Sequence, residues 1–418
     1  MERMNPASKQ ATPDHVVSFA EAVRTVRQEA EKIREVRPAA EQVPLLDATG
    51  RVLAEAVRAD RDQPPFPRST RDGFACIAAD VQSGRMLRII GQVRAGEAWQ
   101  GGPLQPGEAI EIMTGAPVPD GANCVVMVEH VQAEENQLRL KAGHSIAPGE
   151  NIVPAGAEAK SGTVLVPAGT RLVPSHIAAA AACGYAQLSV FRKPRIAILA
   201  TGDELVSLES TPLLHQIRNS NSYSLAAQIQ LAGAEPVILP VAHDSQPAIE
   251  AAICGAQDCD LLLLSGGVSM GKYDFVEQVL HHRGAEFFFT GAKIQPGRPV
   301  VFGRLPHQYF FGLPGNPVST MVTFALFAHP LIAALSGEAS GGSRFALAGL
   351  THEAHCKSGL TRFLPARLDY SIHGATATVI PWQGSGDLAS TANANGFAVL
   401  PAEDKRLPAG SLISVLLM

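Results

Sequence analysis

From Ser18 the chain reads "SFAEAVRTVRQEAEKIREV", with Phe19, Val23, Val26, Ala30 and Ile33 recurring at helical spacing and Ser18 standing three residues before Glu21. That combination predicts an amphipathic helix with a capped N-terminus, laid by one face on a core. Beyond it the period changes. The prolines of "DQPPFPRSTRDGFACIAAD" forbid a helix, and Thr70 to Gly73 reads as a tight polar turn. Short runs such as "LRIIGQV", "AIEIMTGAPV" and "CVVMVEHV", separated by Gly and Pro, predict a mainly β region to about Ser145. "GTVLVPAGTRLVPSHIAAAAACGY" then returns to a strand, a turn and an Ala-rich helix, so the opening segment is expected to rejoin the core it left, with the β-rich piece inserted.

The pattern changes again at Pro194. "RIAILA", "EPVILPVA", "DLLLLSG" and "EFFFTG" are strand-like apolar runs, alternating with helical patterns at "NSYSLAAQIQLAG", "QPAIEAAICGA" and "KYDFVEQVLHHRG". This alternation predicts a doubly wound, mostly parallel α/β sheet covered on both faces. From about Gly337, "RFLPARLDY", "ATATVIPW", "FAVLPAE" and "SLISVLLM" predict a small β-barrel. The expected class is α/β plus β in four domains: residues 15–60 with 149–192, a β-rich insertion at 61–148, the α/β region at 193–336, and the barrel at 337–418. A length of 418 residues agrees, being too great for one ordinary core.

Charge and cysteine content narrow the function. With 34 Lys and Arg against 39 Asp and Glu the net charge is −5, and no basic stripe forms, which argues against nucleic acid as a partner. The N-terminus lacks the apolar run of a secretion signal, and no stretch offers about 18 uninterrupted apolar residues, so a cytoplasmic protein without a membrane is expected. Cys76, Cys124, Cys183, Cys254, Cys259 and Cys356 form no C-x-x-C pair and read as buried thiols. His352 and His355 in "THEAHC" are out of register for H-E-x-x-H, and His281 and His282 sit where they would complement a helix end.

Three strand ends carry unusual loops: "ATGDEL", "SGGVSMGKYD" and "LPGNPVS". In an α/β sheet all three should open on one rim, where glycine-bent backbone and helix N-termini receive anions. The candidates are Thr201, Gly202, Asp203 and Glu204 in the first loop, Ser265, Gly266, Gly267 and Ser269 in the second, and Pro314, Gly315 and Asn316 in the third. From Gly266 the second loop spells G-x-x-x-x-G-K, but Tyr273 stands where a nucleotide hydrolase needs Ser or Thr for Mg2+. Asp274, next along, either caps the following helix or joins Glu204 and Asp244 of "VAHDS" around a hard divalent cation. Lys293 and Arg298 in "GAKIQPGRPVVFG", stiffened by Pro296 and Pro299 and taken with Ser319, suggest an oxyanion pocket.

The ordered set "STRDGFA", "IEIMTGAPVP", "ATGDEL", "LLLLSGGVSMGKYDF", "PGRPVVFG", "FFGLPGNPVS" and "QGSGDL...ANGFAVLP" resembles the molybdopterin molybdotransferases, the family that includes the gephyrin E domain, from about Phe19 to the end. The resemblance implies insertion of molybdate into the dithiolene of adenylylated molybdopterin, with Mg2+ as cofactor and AMP released. It also implies an elongated homodimer joined through the N-terminal domain, with a site shared between subunits, and passing contacts with the adenylyltransferase and with apo-molybdoenzymes. Carried over, Asp72, Thr114, Glu204 and Asp274 are catalytic, and Glu204, Asp244 and Asp274 hold the metal. Asn221, Gly266, Gly267 and Ser269 contact the nucleotide, and Lys293, Arg298, Pro299, Ser319 and Ser385 or Ser390 bind the oxyanion.

This chain departs from the family pattern at several places. Thr70 and Arg71 replace Ala-Met before the Asp-Gly turn, Gln295 and Arg298 replace the two lysines of K-P-G-K-P, and Val153 replaces an arginine. Leu360 and Arg362 change the charges of G-R-x-E-F-x-R. Lost cationic anchors weaken an oxyanion site, since charge-assisted hydrogen bonds contribute about 1.5–3 kcal/mol each. Two alternatives accompany the transferase reading: a scaffold that keeps the fold without the activity, disfavoured by the intact acidic set, and an adenylyltransferase acting one step earlier, disfavoured by the extra domains.

Overall fold

The computed structural model of the protein describes residues 15–267, 275–403 and 405–418. Helix α1 (Phe19–Arg34) starts as expected, with the Ser18 hydroxyl accepting the Glu21 N–H at 3.2 Å. Its apolar stripe, however, lies on the α/β layer and not on the N-terminal strands with which the sequence groups it. The cause is the two-residue strand Val16–Val17, which pairs in parallel with Gly291–Ala292 and fixes where the helix enters.

After β1 (Ala40–Pro44) the chain leaves for a six-stranded sheet made of β2 (Gly73–Cys76), β3 (Leu87–Val93), β4 (Glu108–Ile112), β5 (Cys124–Met127), β6 (Val131–Glu134) and β7 (Gln137–Leu140), in the order β5-β2-β4-β3-β7-β6. Both faces are apolar, with Phe74 and Cys76 packed on one side and Ala75 on the other. At the start of β2 only glycine fits, because a Cβ on Gly73 would lie 1.9 Å from the Val126 carbonyl oxygen. The chain returns through α2 (Pro174–Ala182) to β8 (Gln187–Phe191), which pairs antiparallel with β1.

The α/β layer runs β9 (Arg195–Ala200), α3 (Ser220–Leu231), β10 (Glu235–Ile238), α4 (Gln246–Cys254), β11 (Leu261–Ser265), α5 (Phe275–His282), β12 (Glu286–Phe289), the short β13 (Ile294–Gln295), β14 (Val301–Leu305), β15 (Gln308–Leu313), α6 (Pro317–Thr323) and α7 (His329–Leu335). Its sheet order is β10-β9-β11-β15-β14-β12, parallel through the first four strands. Along β9 and β11, alternate side chains enter two separate cores: Ile198 and Leu263 pack with α1, α3, α6 and α7, while Leu199 and Leu264 pack with α4 and α5. That double cover is why these strands are unbroken apolar runs. "EFFFTG" differs from the expected parallel strand: it forms the antiparallel edge β12 beside β14, which itself turns back into β15 through a tight hairpin.

A π-helical turn, Phe324–Ala328, joins α6 to α7. The stretch Pro317–Leu335 is long and apolar enough to cross a membrane, against the sequence expectation, but 72% of it is buried inside the protein and it serves as a core helix. Strands β16 (Phe345–Leu350), β17 (Thr361–Ser371), β18 (Gly374–Val379), β19 (Gly396–Leu400) and β20 (Leu412–Leu417) close into a five-stranded barrel in the order β17-β18-β16-β20-β19 and back to β17. β13 pairs in parallel with the start of β17, which ties the barrel to the α/β layer. Five cysteines are buried; Cys254 is exposed, contrary to expectation, and accepts a hydrogen bond from Arg283 Nη1 at 3.0 Å because it ends α4 on the solvent side.

Candidate active site

The crossover from β9 runs to β10 on one side, while β11 lies on the other, so the strand order reverses between β9 and β11. A crevice is expected at the carboxyl ends of these two strands. Thr201 continues β9 there, donating its N–H to the Ser265 carbonyl at 3.1 Å. Gly266 and Gly267 follow β11 with φ of 91° and 61°. A Cβ on the first would sit 2.6 Å from the Thr201 carbonyl oxygen and one on the second 2.7 Å from Thr201 Oγ1, so these two loops meet only because the residues are glycine.

Asn221, in the first turn of α3, brings in the third loop. Its Nδ2 donates to Ser265 Oγ at 2.9 Å and to the Gly315 carbonyl at 2.7 Å. The result is an open cleft whose wall includes Thr201, Glu204, Asn221, Ser265, Gly266 and Gly315. Two atoms of its lining are buried without any hydrogen-bond partner: Thr201 Oγ1 and Asn221 Oδ1. A buried polar atom left unpaired costs about 1–3 kcal/mol, so such atoms in the lining of one cleft are suited to a polar ligand. Pro314 and Asn316 flank Gly315, and Asn316 stands at the N-cap position of α6 without a side-chain cap bond.

The acidic rim lies beside this cleft. Gly202 takes φ 146°, and a Cβ there would lie 2.6 Å from the Glu204 carboxylate. Asp203 Oδ1 pairs with His243 Nδ1 at 2.9 Å and receives the Asp244 N–H at 3.4 Å, which holds its carboxyl below the usual range. Asp244 is pushed up, first by burial and then by the neighbouring charges of Asp203 and Glu204. Glu204 and Asp244 therefore share one electrostatic environment. Asp274 and Ser269 lie outside the described residues, and among the described residues no group of three or more His, Cys, Asp or Glu side chains is placed to hold a metal ion. His243 was missed from the sequence; its signal was its place in the loop following β10, at the same rim.

Asp72 and Thr114 form a separate pair. Asp72 precedes β2 and Thr114 follows β4, strands whose Gly73 and Ile112 are register partners. Asp72 Oδ1 accepts the Thr114 N–H at 2.7 Å and its hydroxyl at 2.8 Å, and these two donors hold the Asp72 carboxyl below its ordinary value. No described hydrogen bond or ion pair joins this pair to Glu204 or Asp244, and among the described residues the inserted sheet makes no extensive contact with the strands of the α/β layer.

Of the candidate oxyanion residues, Ser319 and Ser385 lie at the start of α6. Gly297 has φ 106°, with its absent Cβ position 2.6 Å from Thr323 Cγ2 and 3.7 Å from the Ser319 carbonyl. Ser319 is buried, and the Ser385 carbonyl accepts the Val318 N–H at 3.0 Å. Pro317 has no N–H, so the first two helical positions offer an anion no free amide. Lys293 and Arg298 are exposed, Pro299 is half-buried, and no described side-chain hydrogen bond or ion pair engages either cation. Ser390 belongs to the cap of a short helix: its hydroxyl lies 2.7 Å from Asp387 Oδ2 and 3.0 Å from the Pro381 carbonyl, while its N–H donates to Asp387 Oδ1.

Three family profiles match in succession: the MoeA N-terminal region (domain I and II) over residues 17–184, a probable molybdopterin binding domain over 197–334, and the MoeA C-terminal region (domain IV) over 348–418. The chain belongs to the MoeA family. It is similar to a molybdopterin molybdenumtransferase of Nostoc sp., 35% identical over 391 residues that cover 90% of this chain and 88% of the relative. A relative of the same name in Bacillus subtilis is 35% identical over 386 residues, covering 90% of each. A molybdopterin biosynthesis MoeA protein of Pyrococcus horikoshii has a solved structure that superposes with a TM-score of 0.79 at 29% identity, covering 96% of this chain and 100% of that one. Membership of the MoeA family makes the chain a transferase of molybdenum cofactor biosynthesis.

Proposed function

We propose that this MoeA-family protein inserts molybdate into adenylylated molybdopterin and releases AMP. The observation that carries the reading is the pair of unpartnered atoms, Thr201 Oγ1 and Asn221 Oδ1, in the cleft at the strand-order reversal beside the Glu204 and Asp244 carboxylates. Asn221 Oδ1 is an obligate acceptor, suited to a hydroxyl or amino group of the nucleotide half, while Thr201 Oγ1 can donate to a phosphate oxygen. Gly266 and Gly267 let the backbone approach the same group closely.

The donor set suits Mg2+, which takes one or two carboxylates and completes its shell with phosphate and water. Glu204 and Asp244 would hold it, and when bound it would supply charge stabilisation for the departing AMP. Its charge would also offset the burial and the neighbouring carboxylates that now raise Asp244. Lys293, Arg298 and the Ser319 region would receive molybdate. No nucleophilic side chain is needed.

The deciding experiment adds molybdate to the protein with adenylylated molybdopterin and follows AMP. Molybdate-dependent AMP release is expected, and it should vanish on chelation of Mg2+. Binding without release would instead fit a scaffold, and ATP consumption with free molybdopterin an adenylyltransferase.

A further inference from the structure

Gln295 leaves the oxyanion side without the lysine that its motif anticipates, and the strand next to it carries an arginine. β13 and β17 pair in parallel with Ile294 opposite Thr361 and Gln295 opposite Arg362. The pairing extends one residue further back, since the Thr361 N–H donates to the Lys293 carbonyl at 3.2 Å. Register partners in adjacent strands stand about 4.8 Å apart with their side chains on one face. Ile294 and Phe363 turn inward and are fully buried in the same core. Lys293 and Gln295 alternate with Ile294 and are exposed, so Lys293, Gln295 and Arg362 share the opposite face.

Arg362 is also under-used. Its Nη1 donates to the His355 carbonyl at 3.2 Å, while its Nε is buried without a partner, and none of the described acidic side chains forms an ion pair with it. Val153, the other lost cation, supplies the contrast. Its register partner is also an arginine, Arg68, but that guanidinium is spent on Glu158 at 2.6 Å. Only at Gln295 does the neighbouring strand deliver a cation with a donor to spare.

We infer that Arg362 is a binding residue for the tetrahedral oxodianion substrate, replacing from the barrel strand the positive charge that Gln295 does not provide. The inference rests on the proposed molybdate reading of the Lys293 and Arg298 side. A guanidinium offers directed donors where an ammonium offers a point charge, and Nε with a terminal nitrogen spans two oxygens of one tetrahedral anion. Leu360, which lacks the arginine of the motif, leaves Arg362 as the cation that this end of the barrel strand presents.

The test is calorimetric titration of the full chain with molybdate, and with tungstate as a second tetrahedral dianion, at fixed ionic strength. Arg362→Gln should weaken uptake about tenfold or more, while Gln295→Lys in the same chain should recover most of the loss. Thermal denaturation of each variant confirms that it is folded, and the KM for molybdate in AMP release should rise with kcat less affected. Unchanged affinity in Arg362→Gln, or a loss that Gln295→Lys does not repair, overturns the role of Arg362 while molybdate-dependent AMP release leaves the proposed function standing. A wild-type protein that takes up neither anion and releases no AMP overturns both.

Discussion

Asn221 joins two loops with one amide group, because its two donors are used on Ser265 and Gly315 while its oxygen is left without a partner. Removing the side chain should cost binding and folding by comparable amounts. Asn221→Ala is expected to weaken AMP binding about tenfold, the effect of deleting one buried hydrogen bond, and to lower stability by about 1 kcal/mol; titration calorimetry and urea denaturation measure the two separately. Asp at this position keeps the acceptor and loses the donors, so it should loosen the loops and bring a like charge toward the phosphates. At this scale the sequence was informative where backbone conformation demands a residue type: Gly266 and Gly267 were legible as loop glycines. The partnership of Asp203 with His243 was not, because it depends on two rim loops about 40 residues apart meeting in space. The place of Ser390 in a helix cap was also hidden, since a serine three residues after an aspartate suits a cap as well as a ligand site.

At the level of elements, α7 begins with a histidine that has given up its charge to be inside. Burial, followed by the nearby Arg344 and Arg171 guanidinium groups, pushes His329 down to about 4 from an ordinary value near 6.5. The folded form therefore stays neutral over a range in which the unfolded chain takes up a proton. The associated stability is fully present above about pH 6.5 and is lost as pH falls toward about 4, at up to about 1.4 kcal/mol per pH unit within that window. Denaturation curves collected between pH 7 and pH 4 should show this loss, and His329→Asn should flatten it by close to one proton. The strands and helices around it were readable from apolar spacing alone, as β9 and β11 demonstrate by filling two cores with alternate residues. Which groove receives an amphipathic helix was not readable, and α1 went to the α/β layer through a two-residue strand too short to leave a periodic signal. The direction of β12 was equally hidden, since an edge strand and a parallel strand present the same apolar run.

Across the whole molecule, Asp72 and Thr114 belong to a sheet that makes no extensive contact with the layer holding Glu204 and Asp244. If a homodimer completes the site, as the family resemblance implies, each active centre takes Asp72 from one subunit and Glu204 from the other. Asp72→Asn and Glu204→Gln should each be inactive alone, yet subunit exchange between them should restore about one quarter of wild-type AMP release, because half the dimers are mixed and each mixed dimer has one intact centre. A mixture as inactive as its parents would instead place both residues in a single subunit's site. The order of folding units could be traced along the chain because hydrophobic period and Gly and Pro punctuation change at each transition. The relation between those units could not, since it is set by a few short pairings such as β13 with β17.

One small hydrogen bond at the end of that chain of pairings reaches further than its size. With the Val318 amide already claimed by the Ser385 carbonyl and Pro317 having none to give, the first two positions of α6 are shut to an arriving oxyanion. If molybdate binds there as proposed, recognition falls to long cationic side chains reaching across from other strands, an arrangement that dissolved electrolyte would blunt and that evolution could retune by exchanging one basic residue for another without disturbing the helix.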